Sequence, residues 1–516
     1  VTVDAVVIGA GPNGLTAATL LARAGWSVEL LERRDVAGGA VGSITTDRGY
    51  LHDWGSAFYG VLHTMPVLRQ LGLDRRVSWA HTDVPVASVW DTARPAAVMR
   101  RTPDATAAGL GADAAAWLDT CAWWERVGAW LFDVLMGPVG AALPLARLVG
   151  RVTPRELIPT VRTLLEPVEE WVRLQYAEDA ARMLFAANAT HADIGVDSAG
   201  STPASYLLAM AAQMHGMPVP VGGARALAAG MVEAAEEAGV VMRTGVDVTG
   251  VVVRGGRAVG VTCADGTAVA ARRAVVADVA PTILARDLVG EHHLPSAWLD
   301  QLRRHRYSSG YFRVDVDLSA PAPWADEQLS EAMVVHVTGD LDEIALSQAQ
   351  VRRGLVPDVP QIILGQQDRA DPTRVPAGAA ALWLECHCPA APSNGKRGWE
   401  KRLADKLVSR VDEHAPGIRE LIVDMTVTTP LDLQARDPNL VGGDVGGGSA
   451  AIDQMVVFRP VAGWSSYALP VAGLYMCGAA SHPGGGVHGM CGRNAAGTVL
   501  RDARVGLPWL RGRLHR

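Results

Sequence analysis

Two rhythms of apolar positions run along this chain, and they divide it into sheet-forming ends and a helix-rich middle. Near the start, Val6-Val7-Ile8 is an unbroken apolar run of the kind a parallel sheet buries on both faces. A helix is expected from Pro12 to about Ala24, stopped by Gly25, and Ser27-Val28-Glu29-Leu30-Leu31 reads as a second strand. Residues 79–218 read as largely helical. A helix from about Ala224 to Ala238 ends at Gly239. Short strands follow at Val246-Asp247-Val248, Val251-Val252-Val253 and Val259-Gly260-Val261, separated by Gly255-Gly256 and Asp265-Gly266 turns, before a buried strand at Val275-Val276-Ala277. From 291 to 440 the pattern alternates, as in Tyr311 to Leu318 and Ala380 to Cys388, which predicts a mixed sheet with helices. Leu474 to Cys477 supplies a last strand, and a helix is expected to open near Gly485 and run through Val499.

The first strand runs into Gly9-Ala10-Gly11-Pro12-Asn13-Gly14. In such a turn Gly9 allows the tight bend, Gly11 lets backbone approach a pyrophosphate, and Gly14 lets helix and strand pack closely. The helix presents free N–H groups and a positive dipole end to the phosphates. The second strand ends in Glu32, at the distance where an acid grips ribose hydroxyls, which favours FAD or NAD over NADP. The pair Gly38-Gly39 beyond it lets another loop lie against the cofactor. A surface turn is the ordinary alternative.

These residues resemble the glutathione-reductase-like flavoprotein superfamily, in the branch holding phytoene desaturases and amine oxidases. The similarity is carried by the N-terminal unit with Gly38-Gly39, by Gly49-Tyr50-Leu51-His52-Asp53-Trp54-Gly55, by Gly222-Gly223-Ala224-Arg225-Ala226-Leu227, and by the tail from Leu474 to Asn494. The resemblance implies FAD, held by Gly9, Gly11, Pro12, Asn13, Gly14, Glu32, Arg33, Gly38, Gly39, Ala40, Val41, Val248, Ala277, Gly478, Gly485, Gly486 and Val487. It implies an α/β fold in which a Rossmann FAD domain (1–78, 219–290 and 441–516) is interleaved with an α+β substrate domain. A helical insert (79–218) and a mixed sheet (291–440) build the latter. Two positions depart from the pattern. Ala40 stands where many relatives have arginine, so a phosphate contact from that side chain is lost, and Cys491 stands where close relatives often have proline.

The chain has 516 residues, enough for two or three domains. A net charge of −7 leaves no basic footprint for nucleic acid. Six scattered cysteines form no disulfide framework and suit a reducing cytosol, and the sequence opens in a strand rather than a signal peptide, so a cytoplasmic protein is expected. The apolar run Gly128 to Ala146 is interrupted by Asp133, Pro138 and Pro144, which argues against a spanning helix. A buried helix pair is one reading. The other is an interfacial patch with Trp123, Trp124 and Trp130, giving peripheral membrane contact for a lipid substrate.

His482 and His488 flank the glycine run and are the candidates for proton transfer near neutral pH, against a purely structural role. Cys491 reads as a packed thiol, a thiolate or a flavin tether. Cys386-His387-Cys388 lacks a second ligand pair with zinc-like spacing, so no metal site is expected. Tyr311, Arg313, Glu385 and His387 fall on the expected substrate sheet, with packing as their default role. Many amine oxidases of this superfamily place a lysine against the flavin. Here the only lysines, Lys396, Lys401 and Lys406, share one hydrophilic stretch. The expectation is an FAD-dependent desaturase or dehydrogenase, or a redox-neutral isomerase, acting on an apolar polyene or isoprenoid-like molecule by hydride transfer, with oxygen or a quinone as acceptor. A flavin amine oxidase and a non-catalytic prenyl-binding carrier of the same fold are the alternatives.

Overall fold

The computed structural model describes residues 2–140, 142–151 and 153–505. Ala141 of the apolar run and residues 506–516 of the last expected FAD segment lie outside them.

Strand β1 (Thr2–Ile8) turns through Gly9 into the helix Pro12–Arg23 and returns as β2 (Val28–Leu31). The two pair in parallel, Val6 beside Glu29 and Ile8 beside Leu31. A small hairpin follows, β3 (Ser43–Thr45) with β4 (Leu51–Asp53). Next come β5 (Trp79–Ala80), β6 (Val84–Val89) and β7 (Ala97–Met99), then a long helical stretch that includes Ala114–Met136, Pro154–Leu165 and Ser201–His215. Strand β8 (Val219–Pro220) pairs back with β5 and leads to the helix Ala224–Glu237.

The chain then rejoins its first sheet. β9 (Val241–Arg243) extends β2, and β10 (Val248–Arg254), β11 (Arg257–Cys263) and β12 (Ala268–Ala277) form a meander whose last strand lies parallel to β1. The three short strands expected between Val246 and Val261 are instead one hairpin. Gly255 and Gly256, at φ of +57° and +76°, turn it in two residues, and Val246 and Asp247 fall before it.

A second sheet runs β17 (Ile422–Thr428), β13 (Gly310–Leu318), β16 (Ala380–Cys388), β15 (Ile362–Gly365), β14 (Ala332–Val337), β6, β7. Within the stretch expected to be mostly helical, therefore, β6 and β7 are strands. Val84 to Val89 is buried at every position, and its parallel pairing with β14 draws this run into a sheet. Much later, β18 (Leu474–Met476) lies parallel to the C-terminal half of β12, and the helix Met490–Val505 packs on Pro12–Arg23. The head and tail of the chain thus complete one sheet.

The last helix begins at Met490, not near Gly485. Gly484, Gly486 and Gly489 hold φ of +125°, +109° and +66°, which interrupts helical geometry throughout the run. Among the described residues no helix is long and apolar enough to cross a membrane. Trp124 is buried against Phe132 and Tyr206, Trp123 packs on Tyr206 and lines a second cavity of about 350 Å³ with Leu131, Leu135 and Trp171, and Trp130 lies beneath Arg147 and Arg151. An exposed apolar stripe runs along Leu157, Ile158, Val161 and Leu165.

A cofactor cavity between the two sheets

A cavity of about 400 Å³ lies between the first sheet and the inner face of the second. Of the residues expected to hold a cofactor, Gly9, Gly11, Pro12, Asn13, Glu32, Arg33, Gly39, Ala40, Val248, Gly478, Gly486 and Val487 line it. Gly14, Gly38, Val41, Ala277 and Gly485 do not, and the three glycines among them sit where no side chain fits. A Cβ on Gly14 would sit 2.0 Å from the Gly9 carbonyl oxygen, so only glycine lets the helix approach the turn this closely. At Gly38 it would meet the Val41 carbonyl at 2.6 Å, and at Gly485 the Gly446 Cα at 2.4 Å. Ala277 is fully buried at the end of β12, one residue before Asp278, which does line the cavity.

Head and tail are fastened where they meet. Gly492 donates its N–H to Asn13 Oδ1 at 3.3 Å, and a Cβ there would fall 2.1 Å from the Asn13 carbonyl. Glu32 is buried, with Oε2 accepting from Ala10 N at 2.7 Å and Oε1 from Arg34 N at 2.9 Å. These bonds fix the carboxylate at the cavity wall with acceptor capacity left for a diol. Close-packed glycine turns, a helix N-terminus and a fixed acid fit an adenine dinucleotide.

Reading the sequence missed three groups here. Asp278 accepts the Gly14 N–H at 2.8 Å, capping the helix beside the turn, and burial pushes its carboxyl up to about 7. Arg34 lines the cavity, donates to the Gly39 carbonyl at 2.8 Å and lies over Trp54, with Arg436 on the same ring. It sets a guanidinium beside the glycine pair that Ala40 leaves without one. Arg374 binds Asp53 at 2.7 Å, both fully buried, while Asp53 also accepts from Ala224 N and Ser43 Oγ. That network ties the β3–β4 hairpin to the start of the helix Ala224–Glu237. The motif around Asp53 was visible, but nothing in it named a partner 321 residues away.

The two histidines expected to move protons do not line the cavity. His488 accepts the Met490 N–H through Nδ1 at 3.0 Å and so caps the last helix. Burial holds both His488 and His482 down at about 4, which leaves them uncharged and weakly basic at neutral pH. Cys491 points its thiol at the Gly484 and Ser481 carbonyls, and burial raises it to about 12, so no thiolate forms. Among the described residues no group of three or more ligating side chains could hold a metal.

The inner face of the second sheet supplies the rest of the wall. Tyr311, Arg313, Asp315 and Asp317 alternate along β13, opposite His387, Glu385, Trp383 and Ala381 on β16. Tyr311 Oη donates to the His191 carbonyl at 3.0 Å. Arg313 and Trp383 both donate to the Asp53 carbonyl at 3.1 Å. The His191 and His336 rings meet at 2.8 Å through their Nε2 atoms, and burial lowers both.

Comparison with known proteins places this architecture. The family model described as flavin containing amine oxidoreductase matches residues 13–374. The chain belongs to that family. It is 29% identical to pyridine nucleotide-disulfide oxidoreductase domain-containing protein 2 of Mus musculus, over 97% of this chain and 94% of that protein. It is 25% identical to a limonene dehydrogenase polypeptide of Castellaniella defragrans, over 98% of this chain and 96% of the relative. In fold it matches cyclohexylamine oxidase from Brevibacterium oxydans, with a TM-score of 0.58 at 16% identity, covering 97% and 99% of the two chains. This member of the flavin containing amine oxidoreductase family is an FAD-dependent oxidoreductase.

Proposed function

We propose that the protein is a dehydrogenase or desaturase of an apolar, polyene or isoprenoid-like molecule, with double-bond isomerisation as the redox-neutral variant. One observation carries this reading. Beyond the glycine turns, the cavity is walled by Phe58, Val61, Leu208, Ala211, Met217 and Val487, a lining suited to hydrocarbon. All three lysines lie on the far side of the second sheet. Lys401 and Lys406 belong to the helix Trp399–His414, which packs on the outer face through Leu403 and Leu407, and Lys396 precedes it. The name of the limonene relative points the same way.

When bound, FAD supplies the two-electron acceptor for the substrate's hydride. This chain's part is to hold the hydrocarbon against the apolar wall, exclude water and fix Glu32 and the glycine turns around the cofactor. Oxygen or a quinone serves as the final acceptor. The stripe from Leu157 to Leu165 suits peripheral contact with a bilayer as the source of substrate.

Anaerobic mixing with purified yellow protein tests the reading. Limonene or a longer polyene precursor bleaches the flavin bands, while putrescine and cyclohexylamine do not. Bleaching by an amine and by no hydrocarbon reverses the assignment.

A further inference from the structure

We propose that Glu385 is the proton acceptor of this cavity, taking the proton that leaves the substrate carbon next to the one surrendering its hydride. The inference rests on the dehydrogenase reading and on a comparison of the carboxyl groups around the cavity wall. Glu32 is occupied by the N–H groups of Ala10 and Arg34, and Asp278 by that of Gly14. Asp437 accepts from Asn439 N, and Asp444 from Ser308 N, Ser308 Oγ and Gly446 N. Asp247 is half-exposed opposite Arg33. Glu385 is buried on β16 and lines the cavity, and among the described residues no group hydrogen-bonds its carboxyl.

Its surroundings are equally specific. Arg313, its neighbour across the β13–β16 pair, is committed to Asp315 at 2.9 Å and to the Asp53 carbonyl. Asp315 adds negative charge nearby, and Tyr311 and His191 are the other polar groups on this part of the wall. The Tyr311 hydroxyl is spent on the His191 carbonyl, and the His191 ring on His336. Burial pushes Glu385 up to about 8, against the partial pull of Arg313. A carboxylate that basic binds a proton from carbon far better than an exposed one.

The step balances. The substrate loses a hydride, with its electron pair, to the flavin. The adjacent C–H bond breaks, its electrons become the second bond of the alkene, and its proton forms an O–H bond on Glu385. The substrate is oxidised by two electrons and the flavin is reduced by two, and the proton then leaves to water.

Infrared spectroscopy of the FAD-loaded protein tests the residue without needing a substrate. A carboxylic acid C=O band present at neutral pH should titrate away near pH 8, be absent from Glu385→Gln and persist in Glu385→Asp. Anaerobic flavin reduction by limonene should fall about 100-fold or more in Glu385→Gln with flavin binding retained. Glu385→Asp should recover part of it, and the wild-type rate should rise with pH toward that same value. Absence of the band from wild type, or an unchanged rate and pH profile in Glu385→Gln, overturns the proposal. If hydrocarbons fail to reduce even the wild-type flavin, the substrate reading falls, and the band alone decides whether Glu385 holds the proton.

Discussion

The two faces of the β13–β16 pair do different jobs with one alternation. Outward, Phe312, Val314, Val316, Leu382, Leu384 and Cys386 join a core with Leu403, Leu407 and Val411. Inward, Tyr311, Arg313, Asp315, Asp317, Trp383 and Glu385, with the half-buried His387, build a polar layer against the cofactor half of the molecule. The outer face stabilises by removing apolar area from water and tolerates swaps of similar volume. The inner face depends on specific partners, such as Arg313 with Asp315 and Trp383 with the Asp53 carbonyl, because a buried polar group that loses its partner costs its desolvation.

The sharpest break of this contrast is Asp53→Ala. It leaves the buried Arg374 with Asp371 as its one remaining carboxylate partner and orphans the Ala224 N–H. Urea unfolding should show a loss of about 3–5 kcal/mol, and the flavin should dissociate well before the rest unfolds. On the outer face, Leu384→Ala should cost about 2–5 kcal/mol through the cavity it opens. The folded fraction should keep its flavin spectrum. Equal flavin loss in the two variants would show that the faces are not independent. Next in size, Glu32→Gln should weaken FAD binding by about 1.5–3 kcal/mol, the worth of a charged hydrogen bond, measured by titrating the apoprotein with FAD.

Acidity separates two further groups. His482 and His488 fall from an ordinary 6.5 to about 4 on folding, so their contribution is present above 6.5 and is lost as pH drops through 4. Glu385 rises from 4.5 to about 8, so its contribution is present below 4.5 and disappears as pH climbs through 8. Thermal melts of Glu385→Gln should therefore lose less stability than wild type between those two values. The smallest effect belongs to Lys406→Met, beyond the outer face. It donates to the Asp358 carbonyl, and its removal should change stability by no more than about 0.5 kcal/mol and leave flavin reduction untouched.

The sequence made the cofactor end readable because its signals are local: strand, glycine turn, helix and Glu32 lie within one short stretch, where spacing alone decides geometry. The tail was half readable. Gly484 to Gly486 stands at the right place along the chain, but residue type alone does not show that Gly484, Gly486 and Gly489 take positive φ and delay the helix to Met490. The polar layer stayed hidden because its bonds join residues far apart. Alternation announced that Glu385 and Leu384 face opposite ways, yet gave no sign of which face meets the cavity. The histidines drew attention by chemical type, whereas burial, which a sequence does not show, removed them from proton chemistry.

The closure of the first sheet by β18, and the clasp of Gly492 on Asn13, set an order of events during synthesis. A ribosome releasing the glycine turn first produces half a clamp, with its opposite jaw still untranslated. Coenzyme capture must wait until the segment around Gly492 emerges, so prematurely terminated products should come off colourless and short-lived.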